Sequence, residues 1–338
     1  MLTKERLHLF EMLRDKILNI PQEEKDLLFA KARNENSWFT YDSCEMAFKG
    51  IATLLEPDGL SNFVAKYSIR TDENPKEIGL MLAGNIPAVG FHDILSVLLS
   101  GNKASIKLSS TDQVLIRWIL NALIEIDQRV ADFISIEEML KGKDAYIATG
   151  SDNSSRYFDY YFSKYPHVIR RNRTSIAVLS GKESSEELQA LGKDIFMYFG
   201  LGCRNVSKIF VRKEDDLHLL LDALAPYLSI ADHHKYFNNY EYNKSIFLVN
   251  RDKHLDNGFV LLKESQELVS PIGVLYYELY SDQTDLEEKL SKVIDKTQCI
   301  VANSLVTKGV IPFGKAQFPM ISDFSDQVDT MKFLTELT

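Results

Sequence analysis

The sequence predicts an α/β protein built on open, mostly parallel sheets. From Ile78 onward, short apolar runs alternate with amphipathic helical segments, the pattern of repeated strand–helix–strand units. The alternation resumes after residue 180, and a purely helical stretch precedes both parts. In the first 75 residues, Phe10, Leu13, Ile17 and Ile20 recur at helical spacing until Pro21 ends the run. Further helices are expected over 22–33 and 44–55. Strands follow at 78–82 and 104–108, with a helix at 91–99 between them. Val114, Leu115, Trp118, Ile119, Ala122, Leu123 and Ile126 then mark one face of a strong helix, with Ser109 to Thr111 available as caps. A strand at 145–148, a helix at 153–163 and a strand at 175–179 complete the first set.

In the second set, Ser184 and Glu187 form a capping box before Leu188, Leu191, Ile195 and Tyr198. Strands are expected at 206–211, 246–249, 260–262 and 274–278. The polar, aromatic stretch 232–243 reads as one long irregular segment. The domain division expected from this reading is 1–180, 181–310 and a C-terminal tail 311–338.

Composition narrows the function classes. The chain has 338 residues, 45% hydrophobic and 26% charged, enough to build a sizeable core and ordinary for a globular protein. Lysine and arginine number 39 against 48 acids, a net charge of −9 with no basic stripe, which argues against nucleic acid as a partner. The longest apolar stretch, 78–91, is interrupted by Gly84, Asn85, Pro87 and Gly90 and is too short to span a bilayer. The N-terminus carries charges throughout and does not read as a signal peptide. Three widely spaced cysteines, Cys44, Cys203 and Cys299, point to a reducing, cytoplasmic setting.

Few residues stand out chemically. Cys203 lies in Gly200-Leu201-Gly202-Cys203-Arg204-Asn205, between a helix end and a strand. Flanking glycines allow close backbone approach, and Arg204 favours the thiolate, the attacking form. The alternative is that the glycines cap the helix and Cys203 fills space. Cys44 and Cys299 lie on apolar faces and read as structural. Asn85, in Leu82-Ala83-Gly84-Asn85-Ile86-Pro87, sits where a strand runs into a turn, the edge at which open α/β sheets bind ligands. Its amide suits a developing oxyanion, or it satisfies its own turn. Lys107 ends a strand just before a helix start, a place for ribose or phosphate, or for a solvated charge. Thr149-Gly150-Ser151 repeats that strand-turn-helix geometry. No metal-ligand spacing, nucleophile elbow or Walker loop is present, and Gly200-x-Gly202 does not extend to a dinucleotide fingerprint.

In order, these segments resemble the aldehyde dehydrogenase superfamily. Gly84-Asn85-Ile86-Pro87 and Ser100-Gly101-Asn102…Lys107-Leu108-Ser109-Ser110 are similar to its Pro-Trp-Asn and Ala-Gly-Asn…Lys-Pro-Ser-Glu segments. Thr149-Gly150-Ser151 is similar to its Thr-Gly-Ser turn, and Gly200-Leu201-Gly202-Cys203 to its Gly-Gln-x-Cys nucleophile. Glu267-Leu268-Val269-Ser270-Pro271-Ile272 is similar to Glu-Ile-Phe-Gly-Pro-Val, and Pro312-Phe313-Gly314 to a late Pro-Phe-Gly. Within the superfamily, the Gly-Asn-Ile-Pro turn and the Gly314…Gln317…Pro319…Asp326…Asp329-Thr330 pattern most resemble the LuxC-like long-chain fatty acyl-CoA reductases, which supply aldehyde to bacterial luciferase.

The resemblance implies a Rossmann-type cofactor domain and a second α/β catalytic domain. It implies Cys203 as nucleophile and the Asn85 amide as oxyanion donor. It places the cofactor on Lys107, Ser110, Thr149, Gly150, Ser151 and Glu267. Two departures refine this. The segment Arg171-Asn172-Arg173-Thr174-Ser175 stands where hydrolytic relatives carry a water-activating glutamate, so the resemblance implies a thiol acceptor such as coenzyme A instead of water. Ser110 replaces a glutamate that would repel a 2′-phosphate, so NADPH suits the chain at least as well as NADH. The expected activity is acyl-CoA reduction through a Cys203 thioester to a fatty aldehyde, from acyl-CoA or another activated acyl donor. The alternatives are a non-acylating aldehyde dehydrogenase and a non-catalytic acyl- or partner-binding protein of the same fold. An acyl-transferring or synthetase partner is compatible with the resemblance, and the oligomeric state stays open because part of a long relative's N-terminal region has no counterpart.

Overall fold

The N-terminal apolar repeat folds into α1 (Thr3–Leu18), whose Leu9, Phe10, Leu13 and Ile17 are buried. Three more helices follow, α2 (Gln22–Glu35), α3 (Tyr41–Leu54) and α4 (Pro57–Val64); α3 and α4 pack against α1, and α2 against α3. The computed structural model describes residues 1–69, 74–150, 152–303 and 309–337, with the backbone alone for 152–156. The described chain divides into two compact units, Met1–Asn172 with Pro319–Thr338, and Arg173–Phe318.

The first unit continues through β1 (Glu77–Met81), α5 (Phe91–Ser100), β2 (Lys103–Lys107), α6 (Val114–Ile126), β3 (Ile134–Ile136), β4 (Ala145–Thr149), α7 (Asp152–Phe162) and β5 (His167–Arg170). Its five strands are all parallel in the order β3-β2-β1-β4-β5. Strand order reverses direction at β1, and the switch point beyond the carboxyl ends of β1 and β4 is the place where doubly wound sheets bind ligands. The caps expected from Ser109 to Thr111 are not used. Glu35 from α2 accepts the Gln113 and Val114 N–H groups instead, at 2.8 and 3.1 Å, and so satisfies two orphan donors at the start of α6.

The second unit runs β6 (Thr174–Val178), α8 (Ser185–Phe196), β7 (Val206–Val211), α9 (Asp215–Ala223), α10 (His234–Asn250), β8 (Leu255–Asp256), β9 (Leu261–Glu264), β10 (Val274–Leu279), α11 (Gln283–Val293) and β11 (Thr297–Ala302). Its sheet has the order β11-β6-β7-β10-β9-β8, and only the β8–β9 pair is antiparallel. The capping box opens α8: Glu187 N–H donates to Ser184 Oγ at 3.2 Å, and Ser184 N–H to Glu187 Oε2 at 2.9 Å.

The structure also differs from the sequence reading in larger features. The irregular segment expected at 232–243 and the strand expected at 246–249 are one helix, α10. The His233 side chain caps it by accepting the Tyr236 N–H, and Tyr236, Tyr240, Asn243 and Phe247 share its buried face. The chain enters the second unit with β6, so the division falls at 172/173, before residue 180. The C-terminal stretch is split: residues to Phe318 belong to the second unit, and the rest returns to the first. There α12 (Thr330–Thr335) buries Thr330, Met331 and Leu334 beside α5. Arg170 holds it, donating from Nη2 to Thr330 Oγ1 at 2.8 Å and from Nη1 to both Asp93 oxygens at 2.6 Å.

Candidate active site

In the first unit, the fold gathers most of the expected cofactor residues and Asn85 on one edge of the sheet. Lys107 is the last residue of β2, Thr149 the last of β4, and the Gly84–Gly90 turn follows β1 between them. Asn85 is exposed at the tip of that turn, Ser110 is exposed in the β2–α6 loop, and Lys107 and Thr149 are half-buried. Lys107 makes no ion pair among the described residues. Gly150 is tied to β5, its N–H donating to the Arg170 carbonyl at 3.3 Å. Ser151 lies outside the described residues.

The turn carrying Asn85 is gripped at both ends by the β2–α6 loop. Thr111 Oγ1 donates to the Gly84 carbonyl at 2.9 Å, and Asp112 Oδ2 accepts the Ala88 N–H at 2.8 Å. Glycine is required at 84, because a Cβ there would collide with Ser109 Oγ and lie 2.6 Å from Thr111 Oγ1. Ala88 has φ +54°, a left-handed conformation that costs a non-glycine residue roughly 1–2 kcal/mol. Asp112 is buried and its Oδ1 has no hydrogen-bond partner. Burial pushes its carboxyl up to about 7, the Ala88 N–H opposes that rise, and nearby Glu35 adds to it. Cys44 behaves as a core thiol, pushed up to about 12 by burial first and then by Asp112.

In the second unit, Cys203 sits half-buried in the loop from α8 to β7, and none of the three cysteines is in a disulfide. The approach to it is unusual. Tyr198, Phe199 and Gly200 follow one another with φ of +53°, +58° and +79°, a left-handed turn that reverses the chain after α8. For the two aromatic residues that is strained backbone, and strain of this kind persists only where its surroundings over-determine it. Asn205 supplies much of that constraint. Almost fully buried, it donates from Nδ2 to the carbonyls of Asp194, Ile195 and Met197 at 3.1, 3.2 and 2.8 Å. Its Oδ1 accepts the Gly202 N–H at 2.8 Å. One side chain therefore pins the end of α8 before the turn and, beyond it, the residue that precedes the thiol. Beneath it, Ser175 Oγ donates to the Cys203 carbonyl at 3.1 Å and lies 2.9 Å from Cys299 Sγ. That contact arises where β6 is irregular against both neighbours, with register shifts at Ser175 and between Thr297 and Ile300.

Glu267 is brought near the same loop. It is exposed between β9 and β10, and β7 holds the backbone on either side of it. Ser207 Oγ donates to the Leu268 carbonyl at 2.8 Å and Lys208 Nζ to the Gln266 carbonyl at 3.1 Å. A cavity of about 40 Å³ between the two loops is lined by Phe199, Gly200, Tyr236 and Ser270, among others. The Pro312-Phe313-Gly314 segment is anchored by Asp194, whose oxygens accept the Gly314 and Ala316 N–H groups at 2.6 and 2.9 Å. Burial raises the Asp194 carboxyl to about 6 against those two hydrogen bonds.

Asn205, Asp112, Asp194 and Ser175 were not singled out by sequence reasoning. Asp194 had a signal: an acid three residues after Leu191, beside the apolar stripe of α8. The others had none, since a buried amide or hydroxyl reads in sequence like any loop residue.

A parallel sheet with its switch point at β1, joined to a second, mostly parallel sheet, is a two-unit α/β architecture that known proteins share. Solved structures agree on the fold. Aldehyde dehydrogenase 21 from Physcomitrella patens, in complex with succinate, superposes with a TM-score of 0.68 at 12% identity, covering 99% of this chain and 84% of that one. The NAD+ complex of a Bacillus cereus aldehyde dehydrogenase gives 0.63 at 13% identity, covering 89% and 72%. The NADP complex of NADP-dependent glyceraldehyde-3-phosphate dehydrogenase from Bacillus halodurans gives 0.63 at 13%, covering 91% and 75%. No curated protein matches the chain in sequence. The family model for acyl-CoA reductase (LuxC) matches residues 52–231, more than half of the chain, and the chain belongs to that family.

Proposed function

We propose that the protein is a nicotinamide-dependent acyl-CoA reductase that works through a thioester on Cys203 and releases a fatty aldehyde. The observation that carries the reading is the Cys203 loop: a thiol in a loop fixed by a buried asparagine behind a left-handed turn, in a chain of the acyl-CoA reductase family.

The Cys203 thiolate attacks the acyl carbonyl, and the Cys203 backbone N–H and the Asn85 amide donate to the oxyanion. Collapse breaks the carbon–sulfur bond to coenzyme A, which leaves as its thiolate, and the acyl group stays on Cys203. The nicotinamide cofactor, when bound, supplies the hydride that reduces this thioester. The resulting oxyanion faces the same donors, and its collapse returns the Cys203 thiolate and frees the aldehyde. Both leaving groups are thiolates, so neither step demands a strong general base, and the absence of a carboxylate at 171–175 fits an enzyme that does not activate water.

The residues present fit such a cofactor. Lys107 without an ion pair among the described residues, with Ser109, Ser110 and Thr111 close after it and no acid among them, is a donor set for ribose and a 2′-phosphate, so NADPH should serve at least as well as NADH. Thr149, Gly150 and Ser151 would border the nicotinamide, and Glu267 would hold its ribose. Domain roles follow: the unit Met1–Asn172 with Pro319–Thr338 would hold the cofactor, and the unit Arg173–Phe318 carries the thiol. Three cysteines without a disulfide suit a cytoplasmic setting, and among the described residues no helix is long and apolar enough to cross a membrane. Absorbance at 340 nm should fall when the protein, NADPH and a long-chain acyl-CoA are combined, with release of aldehyde and free thiol in equal amounts. No loss of absorbance across a ladder of chain lengths would contradict the proposal.

A further inference from the structure

Asp112 is a buried acid with no part in the chemistry outlined above, yet it makes a specific contact. The start of α6 does not need it, since Glu35 already accepts the two N–H groups there. Instead Asp112 reaches across to Ala88 N–H at 2.8 Å, three residues beyond Asn85, and leaves its other oxygen buried without a partner. A carboxylate with an orphaned oxygen is costly, and the contact it secures is to a residue in a left-handed conformation that its own sequence does not favour. Thr111, the neighbouring residue, ties down the other end of the same turn through Gly84. The two struts leave Asn85 between fixed points while its side chain remains exposed.

We infer that Asp112 is the positioning residue for Asn85: by holding the Ala88 N–H it fixes the turn from which the Asn85 amide meets the oxyanion, an inference that rests on the acyl-enzyme reading above. Asp112 touches no reacting atom and acts through Asn85 alone. Its contribution therefore exists only while Asn85 has its amide, which separates a positioning role from general support of the fold.

The test is the rate of Cys203 acylation by an acyl-CoA without cofactor, followed by intact mass, in a double-mutant cycle. Asn85→Ala should slow acylation by about 10²-fold, the usual cost of one oxyanion donor. Asp112→Ala should slow it by about tenfold or more, and Asp112→Asn, which keeps an oxygen to accept the Ala88 N–H, should recover most of that loss. The double variant Asn85→Ala, Asp112→Ala should be no slower than Asn85→Ala. Parent-like acylation in Asp112→Ala while Asn85→Ala is slow overturns the inference, and so does a full additional loss in the double variant. Parent-like acylation in Asn85→Ala would instead remove Asn85 from the mechanism, and the positioning role with it. Should Asp112→Ala fail to fold, Thr111→Val removes the other strut, and the same cycle with Asn85→Ala decides in the same way.

Discussion

A few side chains in this protein work under conditions that their sequence neighbourhood does not announce. Asp112 is the clearest. Its carboxyl is raised in the folded state, to about 7, by burial, with Glu35 of α2 adding to the rise and Cys44 of α3 close by. The unfolded chain ionises this group at the ordinary, lower pH, so folding is increasingly penalised as pH rises from about 4, and the penalty is complete above about 7. Replacing the acid removes that penalty. The stability of Asp112→Asn relative to the parent should thus rise between pH 4 and pH 8, by up to about 4 kcal/mol if the shift is fully expressed. Denaturant midpoints for the two proteins across that range measure it, and a difference that stays constant with pH would refute the assignment. Asp194, raised to about 6, acts in the same direction in both proteins and cancels from the comparison.

At the scale of elements, the loop from α8 to β7 concentrates cost and compensation. Two aromatic residues in left-handed backbone cost roughly 1–2 kcal/mol each. Asn205 answers with four hydrogen bonds made inside the protein. Asn205→Ala would leave three carbonyls and the Gly202 N–H without that partner, at a cost of at least about 2–3 kcal/mol. It should also slow acylation of Cys203, because the loop loses its fixed geometry. A variant with parent stability and parent acylation would show that the turn is set elsewhere. The sequence made the position of this loop legible, since the capping box at Ser184 and the apolar run from Val206 bound it on both sides. Its conformation was not legible: nothing distinguishes Asn205 from a turn asparagine until its burial is seen. The same limit explains α10. Tyr236, Tyr240 and Phe247 have helical spacing, but the polar and aromatic residues interleaved with them blur the apolar stripe. The strands of the first sheet were legible because parallel strands covered on both faces are continuous apolar runs. The short edge strands β3 and β5 lack such runs and escaped notice.

At the scale of the molecule, the first unit is closed by a segment distant in sequence. Asp93 and Arg170, both nearly fully buried, form an ion pair that also secures Thr330 on α12. Removing one member of a buried pair strands the other charge, so Asp93→Ala should lose about 3–5 kcal/mol, read from a denaturant titration. A loss under 1 kcal/mol would mean that water reaches Arg170 and that α12 is held by packing of Met331 and Leu334 alone. The order of motifs along the chain had announced both units and the family, but this return was not visible, because no motif marks which unit a terminal helix joins.

The central claim is that Cys203 carries the acyl group. Incubating the protein with a long-chain acyl-CoA and no NADPH, then measuring intact mass and mapping the adduct by peptide analysis, tests it directly. One acyl group should be attached at Cys203, hydroxylamine should cleave it as it cleaves a thioester, and added NADPH should discharge it as aldehyde. Cys203→Ala should form no adduct, while Cys44→Ala and Cys299→Ala should still form it. An adduct on Cys44 or Cys299, or reductase activity retained in Cys203→Ala, would contradict the account.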